Sequence, residues 1–529
     1  MKKSSKIIAL ILGVVMCLGI LAACGSDDDS SGPGTVSNVV VDTSAPPPAG
    51  ATFAEHITFM NDNNPIGSLD PMNPASGTTP AYWTMRMVLD SLVILRDGEF
   101  LPHLATSWNT TDYQTWTFNL RDDAYFHNGD KFTARDVEYT ILRSREGIGS
   151  QSFDMWRPVD QIRIINDTTI EFVMTAVNVD FLFNIHMPST GILNERAINA
   201  DPERGFWIGT GAYKVVDFVA NDYVNLERND NYWGPTPYTR TATLRFVPEM
   251  AARTIMMQNG EAHVSMGISA DDIHLFQASD DFNVIPVTFN NPNTLGFGML
   301  HPITSDWNFR MAVMSALNRA EIAVVAAGDW ASPELTGTMW GHSTMFRADN
   351  IPIVPYDLDA ARNYLAASPY NGETIELATA IITNQKASEA IQQQLAQIGI
   401  NIEINVFDPP GLSAHALYGS ENVQLIMFVT GFTMSPAAFR NTYLPGGMTN
   451  RQTYDNPVIT DLFNQAAGET DIGRREALYR QMQEIIAQDP PLINVFWRLN
   501  GIVAASNVGG LHLPGDVYYD LRYAYVLAG

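Results

Sequence analysis

The sequence predicts an α/β protein of at least two lobes. Three observations predict it: strand-like and helix-like patterns alternate along the chain, one segment reads helix, glycine, strand without a gap, and the chain exceeds what a single core organises. Trp116, Phe118 and Leu120 alternate with Thr117, Asn119 and Arg121, the period of a half-buried strand. Ala387, Ile391, Leu395 and Ile398 fall at helical spacing, and Gly399 stands as a C-cap. Ile400, Ile402, Ile404 and Val406 then alternate with polar residues, so Ser388 to Val406 reads as helix, glycine, strand.

Further elements follow. Phe309 to Ile322 reads as one helix with Phe309, Val313, Ala316 and Leu317 on a face. Asp357 to Ala367 carries Leu358, Ala361 and Leu365 at helical spacing. Arg474 to Ala487 carries Leu478, Met482, Ile485 and Ile486, and Asp489-Pro490-Pro491 stops it. Leu492 to Trp497 reads as a strand.

The N-terminus bears on the compartment. Lys2, Lys3 and Lys6 precede an apolar run, Ile7 to Ile20, that is short for a membrane span. Leu21-Ala22-Ala23-Cys24 follows and resembles the lipobox of bacterial lipoproteins, which implies that Cys24 is the lipid attachment site and residues 1–23 a signal peptide. Residues 24–52 are rich in Ser, Asp, Gly and Pro and cannot bury a core, so they read as a disordered tether. The chain has two cysteines, Cys17 and Cys24, which leaves the expected folded part with neither a disulfide nor a thiol nucleophile. Its net charge of −26 argues against nucleic acid as a partner.

An ordered set of motifs carries a resemblance. Gly98 to Trp108 reads GEFLPHLATSW, Leu120 to Val137 reads LRDDAYFHNGDKFTARDV, and Gly209 to Tyr213 reads GTGAY. Asn229 to Trp233 and Arg310 to Arg319 add to the set. Together they resemble the solute-binding proteins of bacterial peptide and nickel ABC importers, from about Ile57 to the C-terminus. The resemblance implies a two-lobe periplasmic-binding-protein-like fold with an extra domain inserted in the first lobe and a cleft at a two-segment hinge. Lobe I would comprise 53–80, 206–285 and 500–529, the inserted domain 81–205, and lobe II 286–499. The crossing segments would lie near Val287 and Phe496.

It also implies a receptor that hands a small solute, peptide or peptide-like, to a permease and ATPase complex, as a monomer held to the membrane by its lipid and without a cofactor. Oligosaccharide or metal-chelate ligands, or a surface sensor or adhesin on the same fold, are the alternatives. Peptide carriers of the family fix the ligand ammonium with an aspartate in a loop that corresponds to Val429 to Phe439, reading VTGFTMSPAAF. No acid stands there, so recognition of a free peptide N-terminus is not expected. Phe432, Thr433 and Met434 in that loop, with Tyr82, Trp83 and Trp340, are the expected ligand contacts, and Trp330 is a further cleft-facing aromatic candidate. The sequence lacks a Gly-x-Ser-x-Gly elbow and a His-Glu-x-x-His motif, and an enzyme is not expected. His127, in the turn Phe126 to Gly129, reads as a hydrogen-bonded structural residue, and Arg310 as solvated or packing.

Overall fold

The structure, a computed structural model, describes residues 46–61, 66–96, 98–268, 270–380, 382–430, 434–447, 449–512 and 520–528. The expected signal peptide, Cys24 and most of the expected tether lie outside these residues. The same holds for Phe432 and Thr433.

An eleven-stranded mixed sheet runs through the molecule. Its centre is a pair of long antiparallel strands, Phe282–Phe297 and Leu492–Ala505. The register runs from Phe282 opposite Ala505 to Gly296 opposite Leu492 and is interrupted between Thr288 and Pro292. On one side of that interruption Ile502 to Ala504 pairs with Val264–Met266, which leads through His56–Asn61 and Thr241–Phe246 to the edge strands Tyr223–Arg228 and Tyr213–Val219. On the other side Asn293 to Phe297 pairs with Leu425–Val429, followed by Thr374–Thr379 and Asn401–Val406. Proline lacks a ladder donor, which accounts for a break where Pro292 enters the strand. One pair of strands thus belongs to two bodies, the N-terminal body and the C-terminal lobe, and its irregular middle is the connection.

Each side has its own core. Leu295, Phe309, Leu377, Ile391, Met427, Phe463, Met482 and Val495 belong to one buried cluster. Ile57, Phe59, Leu89, Tyr213, Leu226, Leu244 and Ile502 belong to another. A third, with Trp116, Phe118, Trp156, Phe172 and Phe181, covers a separate antiparallel sheet of Ala105–Thr110, Thr115–Leu120, Thr169–Met174 and Val159–Asn166. A fourth gathers Met60, Ile273, Phe276, Trp330 and Val503 beside the crossing strands. Gly501 belongs to this crossing: a Cβ there would fall 1.9 Å from Ile273 Cδ1, so a bare backbone suits the close approach.

Local readings hold in detail. In Thr115–Leu120 the side chains of Trp116, Phe118 and Leu120 are buried while Asn119 is exposed. Helix Ile382–Ala396 buries Ala387, Ile391 and Leu395, and Gly399 follows at φ +89° before strand Asn401–Val406. Helix Leu358–Ala367 starts on Asp357, whose carboxylate accepts from the Asp359 and Ala360 amides. One reading needs correction. Phe309 to Ile322 is not one helix but the end of Trp307–Ala316 and the start of Arg319–Ala327, bent by 64°. Leu317 is extended, and the Asn318 carboxamide accepts from the Glu321 amide, so a cap outcompetes continuation of the helix. A second correction concerns Arg310. It is 2% exposed and ion-paired with Asp489, which makes it a buried charge partner and not a solvated one.

Candidate functional site

The candidate site is built outward from the sheet crossing. Strand Leu425–Val429 ends beside it, and Thr430 is buried there. The Thr430 and Thr294 hydroxyls lie 3.1 Å apart, and Thr294 donates to Asn494 Oδ1 at 3.3 Å. These three residues come from the two crossing strands and the segment leading into the loop. Behind them a cavity of about 20 Å³ is lined by Arg319, Thr336, Met339, Ile493 and Asn494. Asn494 Nδ2 and Arg319 Nε, on two of its lining residues, have no hydrogen-bond partner among the described residues.

The Met434 carbonyl accepts from the Met345 amide at 3.0 Å. Ser435 is buried, and its hydroxyl accepts from the Ala437 amide to cap the short 3₁₀ helix Pro436–Phe439. Phe439 then stacks on Trp340, with ring centroids 4.8 Å apart. Trp340 also meets Tyr479 edge-on at 5.2 Å and has no exposed surface. As placed, Trp340 is a core side chain that holds the far end of the Met434 segment. Tyr82 and Trp83 stand elsewhere. Both lie on helix Thr79–Val88, are 7% and 5% exposed, and belong to the cluster around Phe59 and Leu244. Trp330 packs beside the crossing, with Ile273 and Val503. The structure therefore joins Met434 to Trp340 through Met345 and Phe439, and sets Tyr82 and Trp83 in the other core.

Charge enters from a direction that the sequence did not mark. Asp180 lies at the start of the short helix Phe181–Ile185, whose Phe181 is fully buried among Trp116, Phe118, Trp156 and Phe172. Its carboxylate accepts from Arg475 Nη2 at 2.5 Å and from the Ser435 hydroxyl at 3.4 Å. Arg475 belongs to helix Ile472–Gln488, packs against Tyr479 and Phe346, and donates to the Ala466 carbonyl at 3.2 Å. Burial works against the Arg475 charge, but Asp180 holds its pKa above the ordinary value. Burial, and next the Asp180 charge, push the Tyr479 hydroxyl up to about 12. Sequence reasoning missed the pairing of Asp180 with Arg475: they are 295 positions apart, and Asp180 sits in no motif.

Glu334 is the other buried acid near the crossing. It accepts from Trp497 Nε1 at 2.9 Å, from the Leu335 and Thr336 amides, and from the Thr336 hydroxyl. Trp497 is on a crossing strand, so Glu334 pins that strand to the segment after Ala331–Pro333, which pairs with it. His127 is a structural residue: Nδ1 accepts from the Gly209 amide and Nε2 donates to the Gly211 carbonyl at 3.0 Å. Among the described residues no group of three or more His, Cys, Asp or Glu side chains is arranged to hold a metal ion.

Two bodies sharing two crossing strands, with a loop and buried charges where they meet, describe a two-lobe binding protein. The chain belongs to the bacterial extracellular solute-binding proteins, family 5, whose model matches residues 99–450. Among its relatives are the glutathione-binding protein GsiB of Escherichia coli K12, 25% identical over 438 residues (80% of this chain, 85% of the relative), and that of Pectobacterium atrosepticum, 26% identical over 449 residues (81% and 86%). Among solved structures, the ABC transporter substrate-binding protein CtaP of Listeria monocytogenes superposes with a TM-score of 0.82 at 21% identity, covering 90% of this chain and 100% of that one. DppA of Helicobacter pylori, solved with the peptide STSA, superposes at 0.76 with 23% identity, covering 90% and 99%. These structural likenesses carry the two-lobe fold.

Proposed function

We propose that this chain is a lipid-anchored, extracytoplasmic receptor that encloses a small peptide-like solute between its lobes and delivers it to an ABC importer. Family membership supports the solute-binding part, and the single observation that carries the closing part is the irregular, Pro-interrupted middle of two strands shared by two cores. Ligand contacts are proposed for Phe432, Thr433 and Met434 in the loop and for Tyr82 and Trp83 on the opposing N-terminal body, with Trp340 supporting the loop from the core through Phe439. The anchor rests on the sequence around Cys24. Replacing Cys24 by Ala should free the protein from the membrane fraction or leave an uncleaved precursor. Normal processing with full membrane retention would defeat it.

The loop bears on the ligand. Thr433, Met434 and Ser435 cannot neutralise a buried ammonium, and an unpaired buried charge costs several kcal/mol. The carboxylate beside Ser435 is Asp180, already paired with Arg475. An ammonium bound at that carboxylate would have to displace a guanidinium. Solutes with a blocked or neutral end are therefore expected to bind better than simple free-amine di- and tripeptides. Calorimetry with matched free and N-acetylated tripeptides tests this. Micromolar binding of the free peptide, abolished by acetylation, would overturn the ligand reading and leave the receptor reading intact.

A further inference from the structure

We propose that Asp180 is a positioning residue that latches the four-stranded unit onto the C-terminal lobe and so fixes the end of the candidate ligand loop. The inference rests on the receptor reading only for what the latch is for. Its geometry stands on its own.

The two ends of the contact are held differently. Asp180 is held on a rigid base: the next residue, Phe181, is fully buried in an aromatic cluster, and the Asp180 amide donates to Asn178 Oδ1 at 3.1 Å. Arg475 stands in the first turns of helix Ile472–Gln488, where the helix dipole disfavours a cation. Its neighbour Arg474 is exposed and pairs with Glu469 near the same helix start. Arg475 instead turns inward, with its side chain 10% exposed. The acid that compensates it comes from the other body. A buried guanidinium whose partner sits on a separate body has a stable home only when the bodies meet.

Ser435 connects this pair to the loop. Its hydroxyl reaches Asp180 while capping the 3₁₀ helix whose Phe439 stacks on Trp340. Met434, one residue earlier, is tied to Met345. Separation of Asp180 from Arg475 therefore also breaks the Ser435–Asp180 hydrogen bond beside the loop end.

The test needs no ligand. In the full chain with Cys17→Ala and Cys24→Ala, spin labels at Asn166→Cys and Thr470→Cys, both at exposed positions, report the distance between the bodies by double electron–electron resonance. The parent should show a dominant short-distance population. Asp180→Asn and Arg475→Gln should each shift the short-to-long ratio about tenfold toward long distances. The double variant should shift it no further than either single change, because the two groups share one interaction. Asp180→Glu should restore part of the short population, and Ser435→Ala, which keeps both charges, should move the ratio about twofold. Unchanged distances in the single variants, a loss of melting temperature without a distance change, or additive effects in the double variant would overturn the latch. Failure here leaves solute binding by the parent unaffected, and failure to find a solute leaves these distances interpretable.

Discussion

Two buried ionic clusters in this molecule use the same chemistry to different ends. In the N-terminal body Arg522 donates twice to Asp520, at 2.8 and 2.7 Å, and reaches the Tyr232 hydroxyl and His103 Nε2. Asp90, with no exposed surface, accepts from the Thr210 hydroxyl and from Trp233 Nε1, both at 2.9 Å. Arg522 and His103 approach it at 3.7 and 3.5 Å. Every charge there has several partners, all from one body. Across the bodies, Asp180 pairs with Arg475, which its own lobe also holds through the Ala466 carbonyl and the Tyr479 and Phe346 rings. A buried network that is fully satisfied fastens a fold, whereas a pair split between two bodies can exchange its partner for water when they part. The first cluster secures the C-terminal segment at 520–522, and the second is placed to sense closure.

The sharpest way to break this contrast is to remove the two arginines separately. Arg522→Met removes both short hydrogen bonds to the buried Asp520 carboxylate, leaving it Arg96 at 3.4 Å, and should cost about 3–5 kcal/mol in urea unfolding. Arg475→Met should cost about 1 kcal/mol or less, because Asp180 regains water when the bodies separate. Equal losses would mean that both clusters are structural.

A second test uses pH. Burial depresses His103 to about 4, His127 to about 4 and His186 to about 3. All three belong to the N-terminal body. Arg522 donates to His103 Nε2, so the ring proton lies on Nδ1 and donates to the Ser91 carbonyl. A histidine with a folded pKa below its unfolded value of about 6.5 binds fewer protons when folded. Its contribution is complete above pH 6.5 and is lost as pH falls toward 4. Each such group should add a slope of up to about 1.4 kcal/mol per pH unit in that window. His127→Gln should lower the measured slope by about one proton, and an unchanged slope would show that His127 is not buried neutral. A further expected effect is local. Asn318→Ala removes the cap between the two bent helices and should cost about 1 kcal/mol, read as a shift in urea midpoint.

Elements governed by local pattern were legible in the sequence. Alternation found Thr115–Leu120, and the spacing of Ala387, Ile391 and Leu395 found the helix ahead of Gly399. The bend at Asn318 was not legible, because its flanking residues keep helical spacing through the break. The long crossing strands were only half legible: Leu492 to Trp497 reads as a strand, but its continuation to Ala505 contains Asn500 and Gly501, and depends on its partner strand. In the candidate site Met434 was marked by position in a family motif, while Asp180 and Arg475 meet only through tertiary structure. Side-chain type alone does not tell a core tryptophan from a cleft tryptophan, as the full burial of Trp340 illustrates.

Two bodies sharing two strands are proposed to hold a small solute between them. Native mass spectrometry of the freshly purified full chain tests this most directly. The account predicts one non-covalent small-molecule adduct per chain, released chemically unchanged on unfolding and taken up again by the refolded protein. An adduct released in altered form, or no adduct and no uptake from mixtures of short peptides, oligosaccharides and metal chelates, would contradict it.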